Sequence, residues 1–218
     1  MTLIQLRDVC KFYENGAVQA INNLSVTINE GELTALMGPS GCGKTTLLNM
    51  IGALDFPEQG NVLIQGKPTT HYRPIHEYRS RMVGFIFQFH HLISSLTLLE
   101  NVELPMLPLK ISAGKRREGA AWMLRATGLE HRMHFFPFSV SGGERQRAAI
   151  ARALVNRPRI ILADEPTGNI DSKTGKKIIA FLIRYCLENK ITLVMATHNT
   201  AIAKMAQRTM QMRDGRII

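Results

Sequence analysis

The stretch Gly38-Pro-Ser-Gly-Cys-Gly-Lys-Thr-Thr46 constrains this chain more than any other part of it. Gly38, Gly43, Lys44 and Thr45 satisfy the G-x-x-x-x-G-K-[ST] spacing, with Pro39, Ser40, Gly41 and Cys42 filling the interval. Residues without a Cβ let successive backbone N–H groups curl inward and approach a phosphate closely. Lys44 then supplies a point charge for the outer phosphates, and the Thr45 hydroxyl can hold Mg²⁺. The flanks fit that use. Leu33 to Met37 is a short apolar run that predicts a buried strand, and Thr45 to Ile51 has helical spacing without proline. The loop therefore opens onto a helix N-terminus, where free N–H groups and the macrodipole favour an anion.

With 218 residues, 45% hydrophobic and 20% charged, the chain suits one folded domain rather than a disordered segment. No apolar run approaches the roughly 18 residues needed to cross a bilayer. Nor does the N-terminus have the basic-then-apolar form of a secretory signal. Cys10, Cys42 and Cys186 are scattered and odd in number, so no disulfides and a cytosolic setting are expected. A net charge of +10 is compatible with nucleic acid, with an anionic membrane surface, or with a solvated basic exterior. No aromatic platform is interleaved with the charges, so no nucleic-acid partner is expected.

Along the chain, Leu3–Val9 and Leu24–Ile28 alternate like half-buried strands, with a turn at Glu14-Asn-Gly16 between them. Asn61–Gln65 predicts a further strand, giving an antiparallel layer beside a nucleotide-binding core. Tyr13, at the first turn, is placed either to pack or to stack on a purine. Met82–Phe87 reads as a buried strand ending at Gln88, and the adjacent His90 and His91 read as surface histidines. From about Thr97 to Asn156 the pattern is helical, with Ser112–Gly119 as a basic connector and a helix restarting at Ala120. Ser141 and Glu144 make a capping box, with Gly142 and Gly143 just inside it. That arrangement serves a helix start alone, or a helix start that also receives a phosphate.

Arg159 to Ala163 leads into Asp164 and Glu165, two carboxylates at the end of an apolar run. Such charges need a cationic partner, and beside a phosphate loop Mg²⁺ is the economical one. Asp164 then holds the metal, and Glu165 orients and deprotonates water. Thr192–Ala196 is a further buried strand, ending at Thr197 and His198. Gln88, Asp164 and His198 thus all fall at carboxyl ends of core strands, where open α/β sheets bind ligands.

In this order these residues resemble the ATP-binding cassette of ABC transporters, over almost the whole chain. The matching stretches are Tyr13, Gly38–Thr46, Gln88, Val140–Glu144, Ile160–Glu165, Gly168–Asp171 and His198. Phe85–Phe89, Leu99–Val102 and Ala163–Asn169 are similar to the group serving lipoprotein release and macrolide export. The resemblance implies an α/β fold: a P-loop NTPase (RecA-like) core with a mostly parallel sheet, an N-terminal antiparallel β subdomain and an inserted α-helical subdomain. The single cassette over 1–218 would divide into about 1–90 and 157–218 for the core and β layer, and about 95–156 for the helical part.

It also implies a head-to-tail homodimer that sandwiches two Mg-ATP. Ser141, Gly142, Gly143 and Glu144 of one chain would cap the nucleotide on the other chain's 38–46 loop. Asp171 would cross the interface, His198 would contact the γ-phosphate, and Thr45, Gln88 and Asp164 would surround Mg²⁺. Integral membrane subunits would be the partners, with the cassette on the inner face of the membrane. A division-type regulator, or a soluble cassette acting on nucleic acid or ribosomes, is the alternative. The soluble type usually shows two cassettes or a long coiled-coil insertion, and this chain has neither. Val140 and Glu144 depart from the commoner Leu and Gln but leave the Ser-Gly-Gly donors intact. Cys42 is expected to be an alkylation liability that bound ATP protects.

Overall fold

A computed structural model describes all 218 residues. In chain order the strands are β1 (Thr2–Tyr13), β2 (Val18–Asn29), β3 (Leu33–Met37), β4 (Gln59–Ile64), β5 (Lys67–Pro68), β6 (Val83–Ile86), β7 (Ile160–Asp164), β8 (Thr192–Ala196), β9 (Arg208–Arg213) and β10 (Arg216–Ile217). The helices are α1 (Lys44–Ile51), α2 (Ile75–Met82), α3 (Leu98–Glu103), α4 (Ala113–Ala126), α5 (Gly142–Leu154), α6 (Ser172–Glu188) and α7 (Thr200–Ala203). None is long and apolar enough to cross a membrane.

Two sheets form. An antiparallel one runs β2-β1-β4-β5, and a six-stranded one runs β10-β9-β3-β8-β7-β6 with only the β9–β10 pair antiparallel. The centre of the large sheet is buried on both faces, which is why β3, β7 and β8 are continuous apolar runs, whereas β9 near the edge alternates. Successive side chains still point to opposite faces. Ile161, Ala163, Leu193 and Met195 join one apolar cluster with α3, α4, α5 and α6. Ile160, Leu162, Val194 and Ala196 join the other, with α1 and the antiparallel layer. The sheet is thus a septum between two cores, and its carboxyl edge is where both layers end.

The early strands run longer than the alternation predicts, and β1 is irregular where Asp8 adopts φ +47° and the register shifts. Two other expectations are corrected. Residues 113–119 are not a connector; they are the first half of α4, whose Arg116 guanidinium donates to the Ile111 carbonyl at 2.7 Å. Gly114 and Gly119 lower helix propensity there, but Ala120, Met123 and Leu124 bury one face and tertiary packing prevails. His91 is exposed, as expected, but His90 is only 8% exposed. Arg152 reaches from α5 to the His90 and His91 carbonyls, at 2.6 and 2.5 Å, and draws that turn inward. Burial, and then the nearby Arg145 charge, hold the His90 imidazole below its usual pKa.

Candidate functional site

The loop from Gly38 to Gly43 joins β3 to α1, and its glycines are dictated by crowding as well as conformation. A Cβ on Gly38 would lie 2.1 Å from the Met212 carbonyl oxygen. One on Gly43, at φ +104°, would lie 2.4 Å from that of Ala20. Gly43 is the residue just before α1, so the loop delivers its N–H groups directly to the helix start. Lys44 is 8% exposed, and its ammonium donates to the Gly38 and Pro39 carbonyls, both at 2.8 Å. The charge is therefore held over the loop by the loop's own backbone.

Around this loop lies a cleft of about 670 Å³. Gly38, Pro39, Ser40, Gly41, Gly43, Lys44, Thr45 and Thr46 form its floor, and Tyr13, Gln88, Asp164, Glu165 and His198 its rim. The strand-end residues converge because β7, next to β8, and β3 beyond it end at the same sheet edge. The Thr45 hydroxyl donates to Asp164 Oδ2 at 2.7 Å. His198 Nδ1 stands 2.8 Å from Glu165 Oε1. Glu165 itself is left-handed, at φ +44°, with its N–H bonded to the Ala196 carbonyl at 3.0 Å. A non-glycine residue there costs about 1–2 kcal/mol, so the surrounding structure holds this carboxylate in a conformation it would not choose.

Cys42 is the exception within the loop: it is 5% exposed and does not line the cleft. Its side chain belongs to the core cluster under α1, with its sulfur 3.7 Å from the Lys44 ammonium. The expected alkylation liability is corrected accordingly. Cys10 and Cys186 are buried too, and burial pushes the Cys186 thiol up to about 12. Since the thiolate is the reactive species, iodoacetamide should label none of the three quickly in the native chain and all three in urea. Fast stoichiometric labelling of Cys42 before unfolding, read by mass spectrometry, would contradict this.

Tyr13 sits on the rim under constraint. Its hydroxyl donates to Asp55 Oδ2 at 2.7 Å, and the Lys11 ammonium lies 5.1 Å from the ring centroid. Lys11 in turn donates to Asp55, to Glu58 and to the Phe56 carbonyl. Burial works against its charge, yet the two carboxylates hold its pKa above the ordinary lysine value. No spacing in the sequence marks Asp55 or Lys11; the only local sign is a lysine that is buried in β1.

Ser141, Gly142, Gly143, Glu144 and Asp171 do not line this cleft. The capping box is present: Ser141 Oγ accepts from the Glu144 N–H at 3.3 Å, and Glu144 Oε2 accepts from the Ser141 N–H at 2.8 Å. That backbone bond is the main cause of the Glu144 carboxyl's depressed pKa. The N–H groups of Gly142 and Gly143 lie in the first turn, outside the helical ladder. Asp171 caps α6 by accepting from the Thr174 N–H at 3.0 Å, which lowers its pKa likewise. The two regions are physically linked. Asn169 donates to the Gln88 carbonyl at 3.1 Å, and its own carbonyl lies 3.5 Å from where a Gly142 Cβ would be.

Residues 21–168 match the family described as ABC transporter. The chain is 44% identical over 222 residues to the uncharacterized ABC transporter ATP-binding protein MJ1508 of Methanocaldococcus jannaschii, covering 99% of this chain and 98% of that protein. Among solved structures it is similar to the ATP-binding cassette MJ0796 in a dimeric, post-hydrolysis state bound to ADP and Pi. The TM-score there is 0.91 at 41% identity, over 99% of this chain and 96% of that one. It is also similar to cbiO1 from Clostridium perfringens, part of the ABC transporter complex cbiONQ, with TM-score 0.88 and 28% identity over 100% and 87% of the two chains. By sequence and by fold alike, the chain belongs to the ABC transporter family, as one of its ATPase cassettes.

Proposed function

We propose that two copies of this chain bind Mg-ATP head to tail and use its hydrolysis to drive membrane-embedded subunits from the inner face of the membrane. The observation that carries this reading is the pairing at one cleft. Thr45 with Asp164, and Glu165 with His198, line the cleft of a loop built for phosphates. Gly38–Thr46 and Lys44 hold the β- and γ-phosphates, and Tyr13 offers its ring to the adenine.

The Thr45–Asp164 pair fits Mg²⁺. Both donors are hard oxygens, and their 2.7 Å contact leaves them close enough to share one ion's coordination shell. No cluster of three His, Cys, Asp or Glu side chains accompanies them, which suits an ion that takes its remaining ligands from water and substrate phosphates. When bound, Mg²⁺ would neutralise charge developing on the phosphate oxygens. Gln88, two residues beyond β6, lines the same cleft. Glu165 takes the proton of the attacking water, and His198, oriented by Glu165, donates to the γ-phosphate.

The second half of each site comes from the other copy. Ser141 to Glu144 present two unladdered N–H groups at a capped helix start that does not line its own chain's cleft. The structure of MJ0796 is dimeric. Asp171 is exposed beside this segment and crosses to the opposing copy. The Phe85–Phe89 and Ala163–Asn169 stretches favour a lipoprotein-release or macrolide/peptide-export type of partner. ATP turnover, measured on the chain with its own membrane fraction, is expected to fall to background with EDTA and return with excess Mg²⁺. Turnover indifferent to chelation would remove Thr45 and Asp164 from their assigned role.

A further inference from the structure

We propose that the cleft between α5, α6 and the end of α4 is a second ligand site, one that takes a small organic anion with a compact apolar body. The cleft encloses about 480 Å³, enough for a ligand the size of a substituted benzene ring. Two cations face it, Arg147 from α5 and Lys177 from α6, and neither makes a hydrogen bond or an ion pair. Nothing acidic lines it. Thr174, one turn before Lys177 on the same face, lines the cleft as well. Ile150 and Phe181, each a turn further along its helix, supply an apolar wall.

This arrangement has chemical direction. Arg147 and Lys177 approach from separate helices, so an anionic head between them neutralises two charges that otherwise repel across the cleft. Arginine holds phosphate or carboxylate in a bidentate fork, and lysine adds a point charge. Inorganic phosphate alone would leave the Ile150 and Phe181 wall against water. A neutral ring alone would leave both cations unpaired. The best occupant has both parts, an oxyanion on an aromatic or branched aliphatic body.

The position gives occupancy a consequence. The Arg147 guanidinium lies 4.0 Å from where a Gly143 Cβ would be, and the Thr174 Cγ2 lies 3.0 Å from the same point. Thr174 is also the residue whose N–H caps onto Asp171. A bridging anion therefore ties the helix that starts at Ser141 to the helix that starts at Asp171. On the dimer reading above, which this consequence alone rests on, it fixes the spacing of the two segments that meet the opposing copy.

Binding is tested without nucleotide and without turnover, so its outcome is separate from that of the ATPase reading. Phenyl phosphate is titrated into the ¹⁵N-labelled full chain, and amide shifts are followed by residue. Saturable shifts are expected at Gly128, Thr174 and Lys177, with inorganic phosphate and phenol each binding there at least about tenfold more weakly. Shifts at Gly41, Gly43 and Thr45 report the phosphate loop and are scored apart. Arg147→Gln with Lys177→Gln should weaken the Gly128 and Thr174 response by at least about tenfold while leaving the loop response in place. Lys177→Glu, at an exposed position, should do the same and guards against a folding defect in the double variant. Shifts confined to the loop, equal binding of phenol, or a response untouched by these substitutions would overturn the proposal.

Discussion

Glu165→Gln is expected to keep ATP bound while lowering turnover by roughly 10²–10⁴-fold, the range for loss of a positioned general base. Glutamine preserves the shape and the contact to His198 but accepts no proton from water. The neighbourhood has no ready replacement. Asp164 is engaged by the Thr45 hydroxyl at 2.7 Å, and the imidazole of His198 is 74% exposed and positioned by the very carboxylate being removed. The binding groups are untouched, since Glu165 donates nothing to the phosphates. Single-turnover hydrolysis of saturating ATP isolates the chemical step, so the loss should appear there undiminished. A variant that hydrolyses at the parent rate would show that another group takes the proton.

Lys44→Ala should weaken binding itself. In the free chain Lys44 is 8% exposed, and its ammonium is held over the loop by two backbone carbonyls. A phosphate therefore meets a charge that is in place before it arrives. A hydrogen bond to a charged group is worth about 1.5–3 kcal/mol, which corresponds to roughly 10–100-fold in ATP affinity. Charge that develops on the γ-phosphate during transfer makes the loss in turnover larger, on the order of a further 10²-fold. Calorimetric titration with ATP, on a variant shown to be folded by circular dichroism, reads the first number. Near-parental affinity would mean that the loop amides alone carry the phosphate.

Much of this site is legible because it is local. The phosphate loop needs glycine where a Cβ would strike the Met212 and Ala20 carbonyls, and those glycines stand at fixed spacing in the chain. Gln88, Asp164 and His198 could be placed on one edge because apolar strands end at each of them and parallel strands end together. The capping box is likewise written in four residues. What was not legible depends on distant partners. His90 is buried by an arginine 62 residues away, on α5. The Cys42 thiol turns into the core, although every neighbour in the motif serves the cleft. Tyr13 owes its position to Asp55, and Asp55 to a buried Lys11, a chain of contacts that no spacing announces. Residues 113–119 look like a linker by composition and become helix only because α4 has a core to lie on.

The central claim is that a complete catalytic site requires two chains. Light scattering of the Glu165→Gln chain, with Mg-ATP and then with Mg-ADP at matched concentration, tests it most directly. The account predicts the mass of two chains with ATP and of one with ADP, the pairing being lost when Ser141→Arg blocks the capped turn. A chain that binds ATP to saturation and still weighs as one would contradict it.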